Sequence, residues 1–212
     1  MSAALILGPT GLVGSHLLPQ LLEAPEYERV IALSRRPLEI KHPRLTGLQC
    51  ELAEVEQHRE ALQADDIFCC LGTTIRAAGT QEAFRAVDHD GPLAVARLQE
   101  HREEKRFFVV SSLGADLESS FFYSRVKAEL ERDLAGLGFK RVVAARPSLL
   151  LGQRVNLRPG EIIGELASMP IVPIMRGRWR KYRPIQAHTV AENLVRLARG
   201  QEAREGMEWS IA

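Results

Sequence analysis

Short apolar runs alternate along this chain with longer stretches in which apolar residues recur at helical spacing. Strand-like runs occupy Ala3–Leu7, Arg29–Ser34, Gly47–Glu51, Asp66–Leu71, Arg106–Ser111 and Arg141–Arg146. Helical patterns occupy Leu12–Glu23, Val55–Gln63, Gln81–Glu103, Phe121–Leu137 and Thr189–Arg199. This alternation predicts βαβ units, and so an α/β fold with a mostly parallel, doubly wound sheet carrying helices on both faces. Ligands of such sheets bind beyond the carboxyl ends of the strands. Residues 152–184 break the alternation and are rich in Pro, Gly and Arg, which predicts a small C-terminal substrate-side cap on a single domain spanning 1–212. Pro19 falls inside the first helical pattern and predicts a kink or a lost backbone hydrogen bond there.

The first strand runs directly into Gly8-Pro9-Thr10-Gly11-Leu12-Val13-Gly14. Three glycines spaced three apart between a strand and a helix meet the needs of a dinucleotide pyrophosphate. They permit a tight turn, close approach of backbone to phosphate, and close packing of helix on strand. The helix start adds free N–H groups and a partial positive charge. The expected fold is therefore Rossmann-like. Arg35 and Arg36 follow the second strand, where an NAD-binding chain presents an acidic residue to the ribose. Guanidiniums at that place suit a 2′-phosphate, so the expected cofactor is NADP(H) rather than NAD(H). Leu71-Gly72-Thr73 ends the fourth strand with a small residue and a hydroxyl beside the expected cofactor path.

Tyr123 and Lys127 are four apart in a helical stretch and share one face. A tyrosine, with a reference pKa of about 10, exchanges protons near neutrality only when a neighbouring charge such as an ammonium stabilises its phenolate. Ser111 and Ser112 end the preceding strand, and either hydroxyl can hold a substrate oxygen. Asp88 falls within a long helical pattern, where a solvated or capping role fits as well as a functional one.

Together, the glycine turn, the Leu-Gly-Thr-Thr and Ser-Ser strand ends, Tyr-x-x-x-Lys and Arg146-Pro147 resemble a short-chain dehydrogenase/reductase. The stretches Cys69–Thr74, Ser111–Asp116 and Tyr123–Lys127, with Arg35-Arg36, are similar to its atypical branch, the Tat-interacting-protein-like NAD(P)-binding oxidoreductases. The resemblance covers nearly the whole chain. It implies that Gly8, Thr10, Gly11, Leu12, Val13 and Gly14 border the pyrophosphate, and that Arg35 and Arg36 meet the 2′-phosphate. By the same resemblance Leu71, Gly72 and Thr73 flank the adenosine and ribose, and Lys127 reaches the nicotinamide ribose. It further implies Tyr123 as acid/base, Lys127 as its electrostatic partner and Ser112 as substrate-oxygen ligand, with Ser111 the alternative serine. The expected activity is hydride transfer to or from a small carbonyl or alcohol. Because some atypical relatives act through protein partners, an NADP(H)-binding regulatory or scaffold protein is the second expectation. Pro184–Ala191 resembles a segment near the end of the longer, extended members, which implies a shortened cap.

Composition narrows these expectations only modestly. The 212 residues are 45% hydrophobic and 26% charged with a net charge of +1, so no global field favours nucleic acid or an acidic membrane. Arg176, Arg178, Arg180, Lys181 and Arg183, interleaved with Trp179 and Tyr182, read first as a solvated loop, second as an anionic-substrate site and third as a protein or nucleic-acid contact. Three cysteines, Cys50, Cys69 and Cys70, argue against a disulfide framework, and their spacing offers no metal site. Cys69 and Cys70 read as small core residues. The helix at Phe121–Leu137 offers a homodimer face, though its apolar stripe reads equally as core. Met1-Ser2-Ala3 runs straight into a strand and no apolar run is of bilayer length, so the expected location is cytoplasmic.

Overall fold

The computed structural model describes residues 2–152, 183–203 and 208–211. Seven strands form one sheet in the order β3-β2-β1-β4-β5-β6-β9: β1 (Ala3–Leu7), β2 (Arg29–Ser34), β3 (Leu45–Gln49), β4 (Asp66–Cys69), β5 (Arg106–Val110), β6 (Arg141–Arg146) and β9 (Glu208–Ile211). All neighbours pair in parallel except β9, which runs antiparallel to β6 at the edge. The register aligns Leu33, Leu7, Cys69, Val109 and Ala144 in one row, so the carboxyl ends of five strands finish level. Strand order reverses between β1 and β4, and the crevice at such a reversal is where these sheets take ligands. A two-residue ladder, β7 (Leu150–Leu151) with β8 (Ile185–Gln186), flanks residues 153–182. The expected cap, and the basic cluster from Arg176 to Tyr182, lie outside the described residues.

Alternate side chains of each strand serve opposite faces, because the pleat repeats every two residues. Ala4, Ile6, Phe68 and Phe108 pack beneath α1 (Gly14–Glu23) and α6 (Ala187–Ala198). Leu5, Leu7, Ile67 and Phe107 pack beneath α4 (Gly91–Leu98) and α5 (Phe122–Ala135). Near-continuous apolar strands are what a sheet covered on both faces requires. Full burial of one such Leu, Ile or Phe contributes about 1.5–3 kcal/mol. The Phe68 and Phe108 rings stack at 4.9 Å. At the opposite, amino end of the sheet, Asp66 accepts two bonds from Arg106 and one from Tyr27, which pins β4, β5 and the α1–β2 loop together.

The helical pattern at Gln81–Glu103 is not one helix. A separate short helix, α2 (Ile75–Ala78), precedes it; within it α3 (Gln81–Arg85) runs without a gap into a wide π-turn at Ala86–Asp90 and on into α4, which ends at Leu98. Pro92 is the physical reason: it lacks an N–H, and its ring displaces the carbonyl four residues earlier, that of Asp88. The Val55–Gln63 pattern forms a 3-10 turn at Leu52–His58, and β3 starts two residues earlier than its pattern. Pro19 stays inside α1 without ending it, on an exposed position.

Candidate functional site

The glycine turn occupies the strand-order reversal. Gly8 adopts φ +75°, and a Cβ there would lie 3.0 Å from the Cys70 carbonyl oxygen at the end of β4. A Cβ on Gly14 would lie 2.1 Å from the Gly8 carbonyl oxygen, so a side chain at the start of α1 would force helix and turn apart. The turn closes through Gly11 N–H donating to Gly8 O at 3.1 Å and Ser15 N–H to Gly11 O at 2.9 Å. Leu12 and Val13, expected in the helix, belong to this turn, and α1 begins at Gly14. The amides of Thr10, Leu12 and Val13 make no backbone bond among the described residues. Free amides at a helix start, walled by atoms that leave no room for a side chain, fit an anionic pyrophosphate.

Arg35 and Arg36 follow β2 on the same edge of the sheet and are exposed. The Ser34 hydroxyl donates to Arg36 O at 2.6 Å and the Gln49 amide to Arg35 O at 3.3 Å, so the backbone of this pair is fixed. Neither guanidinium makes an ion pair among the described residues.

The turn after β4 carries Leu71, Gly72 and Thr73, with Gly72 exposed. Beneath it lies a pair of side chains buried to 0% and 4% exposure: Asp88 Oδ1 stands 2.7 Å from Lys127 Nζ. The second Asp88 oxygen accepts the Thr73 N–H at 2.8 Å. Burial alone pulls the Lys127 ammonium down. The Asp88 carboxylate, and after it the Tyr123 phenol, pull it up and prevail, so Lys127 holds its proton more tightly than an ordinary lysine. Tyr123 sits one turn earlier on α5, half-buried, its ring 5.5 Å from that of Phe84.

Ser111 and Ser112 part company here. The buried Ser111 hydroxyl donates to Glu131 of α5, whose carboxylate also takes Arg146 Nη2 at 2.6 Å and Nε at 3.1 Å. Ser111 thus ties the ends of β5 and β6 to α5. Ser112 is half-buried and its hydroxyl donates to the Leu113 carbonyl at 3.2 Å. Asp88, for which a solvated, a capping and a functional role were all open, is instead a buried ion-pair partner, and Glu131 carries no motif of its own in the sequence. Pro92, four residues after Asp88, was the available signal for the first; Glu131 follows Lys127 by four on the same face. Cys69 is a buried thiol, pushed up to about 11 by desolvation, and Cys70 is partly buried with its thiol pushed up by the same cause. His188 opens α6 and packs edge-on against His16 at 6.2 Å.

A family model described as NAD(P)H-binding matches residues 8–137. The rat protein HTATIP2 is 38% identical over 160 residues, 74% of this chain and 66% of that protein. The chain belongs to the atypical short-chain dehydrogenase/reductases. Protein FMP52 of Saccharomyces cerevisiae is 30% identical over 213 residues, 97% of this chain and 91% of that relative. The fold of this reductase-family chain is also that of the Bordetella bronchiseptica enzyme WbmH in complex with NAD+ (TM-score 0.69, 18% identity, 94% and 73% coverage). A thiolation-reductase di-domain from an archaeal non-ribosomal peptide synthetase matches at TM-score 0.70 and 13% identity, covering 98% of this chain and 71% of that one. One expectation is corrected by these relatives. FMP52 of S. cerevisiae and of Eremothecium gossypii are named mitochondrial proteins, which overturns the cytoplasmic assignment. No helix among the described residues is long and apolar enough to cross a membrane.

Proposed function

We propose that this chain is an NADP(H)-dependent oxidoreductase acting on a small carbonyl or alcohol. The observation that carries the reading is Tyr123 one helical turn from a buried, charged Lys127, beside the turn that follows β4. The Gly8–Gly14 turn with its free amides would hold the pyrophosphate, Arg35 and Arg36 the 2′-phosphate, and Leu71, Gly72 and Thr73 the adenosine and ribose. When bound, the nicotinamide supplies or accepts the hydride. The chain's own residues do the rest. Ser112, whose hydroxyl is not engaged by Glu131, turns its proton from the Leu113 carbonyl to the substrate oxygen and orients it. Tyr123 gives its phenolic proton to that oxygen as the carbonyl carbon is reduced, and takes it back in oxidation. Lys127 stabilises the phenolate left behind and would hold the nicotinamide ribose when the cofactor is bound. Rate enhancement comes from positioning and proton transfer.

A second reading, an NADP(H)-binding regulatory protein with little turnover, has one observation in its favour. A carboxylate 2.7 Å from the Lys127 ammonium weakens the field that ammonium exerts on the phenol. Turnover decides between the two. A panel of small aldehydes and ketones is screened by NADPH oxidation, and Tyr123→Phe is run on any active compound. The oxidoreductase reading expects Tyr123→Phe to lose about 100-fold or more in kcat while binding NADPH like the wild type. Undiminished turnover in Tyr123→Phe, or no turnover of any compound by the wild type, overturns it.

A further inference from the structure

Lys127 is a cation with its side chain 4% exposed, and burial disfavours the charged form of any lysine. Something must hold its proton. Among the described residues three titratable groups act on it: Asp88 from the π-turn, the Tyr123 phenol from one turn earlier on α5, and the Cys69 thiol from the end of β4. Burial holds that thiol up to about 11, so it is uncharged at neutral pH. Asp88, completely buried, is the carboxylate among the three, with Oδ1 2.7 Å from Nζ. The same carboxylate does a second thing. Its Oδ2 accepts the Thr73 amide at 2.8 Å, in the turn assigned to the adenosine and ribose. Gly72 lies directly over the pair: a Cβ there would sit 3.7 Å from Asp88 Oδ1 and 4.0 Å from Lys127 Nζ. The wide turn at Ala86–Asp90 aims two successive side chains at α5. Asp88 meets Lys127, and His89 meets Asp133 at 3.0 Å while its other nitrogen meets Asp90 at 2.7 Å.

We propose that Asp88 is a positioning residue that keeps Lys127 charged in its buried seat and locks that charge to the Leu71–Thr73 turn. Cofactor binding at the turn and proton transfer on α5 then depend on one carboxylate. The inference deepens the oxidoreductase reading and rests on it for its catalytic consequence, but the state of Lys127 is measurable without turnover.

Asp88→Asn keeps the size of the side chain and a carbonyl to accept the Thr73 amide, and removes only the charge. The test is a lysine side-chain NMR titration of the full chain labelled at lysine, with Lys127→Met identifying the Lys127 signal among the five lysines. Asp88→Asn is expected to lower the Lys127 transition by about one pH unit or more, a tenfold loss of proton affinity. Asp88→Glu restores it toward the wild-type value. In carbonyl reduction, Asp88→Asn loses activity as pH rises through that lowered transition, over a range where the wild type holds steady. A structural defect that merely exposed Lys127 would bring its transition to that of the solvated lysines, whereas loss of the carboxylate from an intact site leaves burial unopposed by that charge and takes it lower. A Lys127 transition unchanged by Asp88→Asn overturns the proposal. If Asp88→Asn does not fold, the double variant Asp88→Asn/Lys127→Met removes both charges: recovery of the fold supports the proposal and failure to recover overturns it. Absence of turnover in the wild type overturns the oxidoreductase reading and leaves the lysine titration to judge Asp88.

Discussion

Gly14→Ala perturbs the junction between the glycine turn and α1 by a single methyl group. Its Cβ would stand 2.1 Å from the Gly8 carbonyl oxygen, 2.9 Å from the Gly8 carbonyl carbon and 3.0 Å from Pro9 Cα. All three are backbone atoms, so no side-chain rotation relieves the contact, and turn and helix must separate by about 1 Å or more. Overpacking of this kind costs about 1–3 kcal/mol, offset by at most about 1 kcal/mol for replacing a helical glycine with alanine. Backbone contacts this short belong to the upper part of that range, about 2–3 kcal/mol, so the net loss of about 1–2 kcal/mol lowers the melting temperature by roughly 2–8 °C for a chain of this size. The displaced amides of Leu12 and Val13 also meet the pyrophosphate less well, so NADPH binding weakens. Gly11→Ala is the control. Its Cβ would lie 3.3 Å from Gly8 O and 3.5 Å from Cys70 O, which a shift of a few tenths of an ångström absorbs. Thermal melts of both variants with and without NADPH, with fluorescence titration of the cofactor, provide the assay. A Gly14→Ala protein that melts and binds like the wild type, or a Gly11→Ala protein that loses equal stability, refutes the steric argument.

The exposed guanidiniums after β2 predict that Arg35→Ala/Arg36→Ala weakens NADPH by about 30-fold or more and NADH by less than about threefold; equal losses in parallel titrations would remove the 2′-phosphate assignment. The two serines are predicted to separate cleanly. Ser111→Ala, which loses its bond to Glu131, costs about 1–2 kcal/mol and a few degrees of melting temperature. Ser112→Ala leaves the melt unchanged and lowers kcat/KM for the substrate found in the screen, and the reverse pattern would return the catalytic assignment to Ser111.

Much of the architecture was legible because sheet burial writes itself into composition. Runs such as Leu5-Ile6-Leu7 and Phe107-Phe108-Val109 are apolar at every position because both faces of each strand are covered. The glycine turn was legible because two of its glycines answer to backbone contacts that no other residue permits. The helix boundaries around Asp88 were not: apolar spacing from Gln81 onward continues through the π-turn, and only Pro92 marks the break. The edge strand Glu208–Ile211 also went unseen, since an antiparallel edge of four residues has little pattern to show.

The alternation of the first six strands with helices, the glycine turn after the first strand, and the family were all determined by local sequence, since each depends on residues within a few positions of one another. The tertiary structure alone decided the partners of the polar groups. Asp88 reaches Lys127 across 39 positions of chain, and Glu131 gathers Ser111 and Arg146 from two strand ends. Buried charges must find counter-charges wherever the fold brings them, and no periodicity along the chain records which groups will meet.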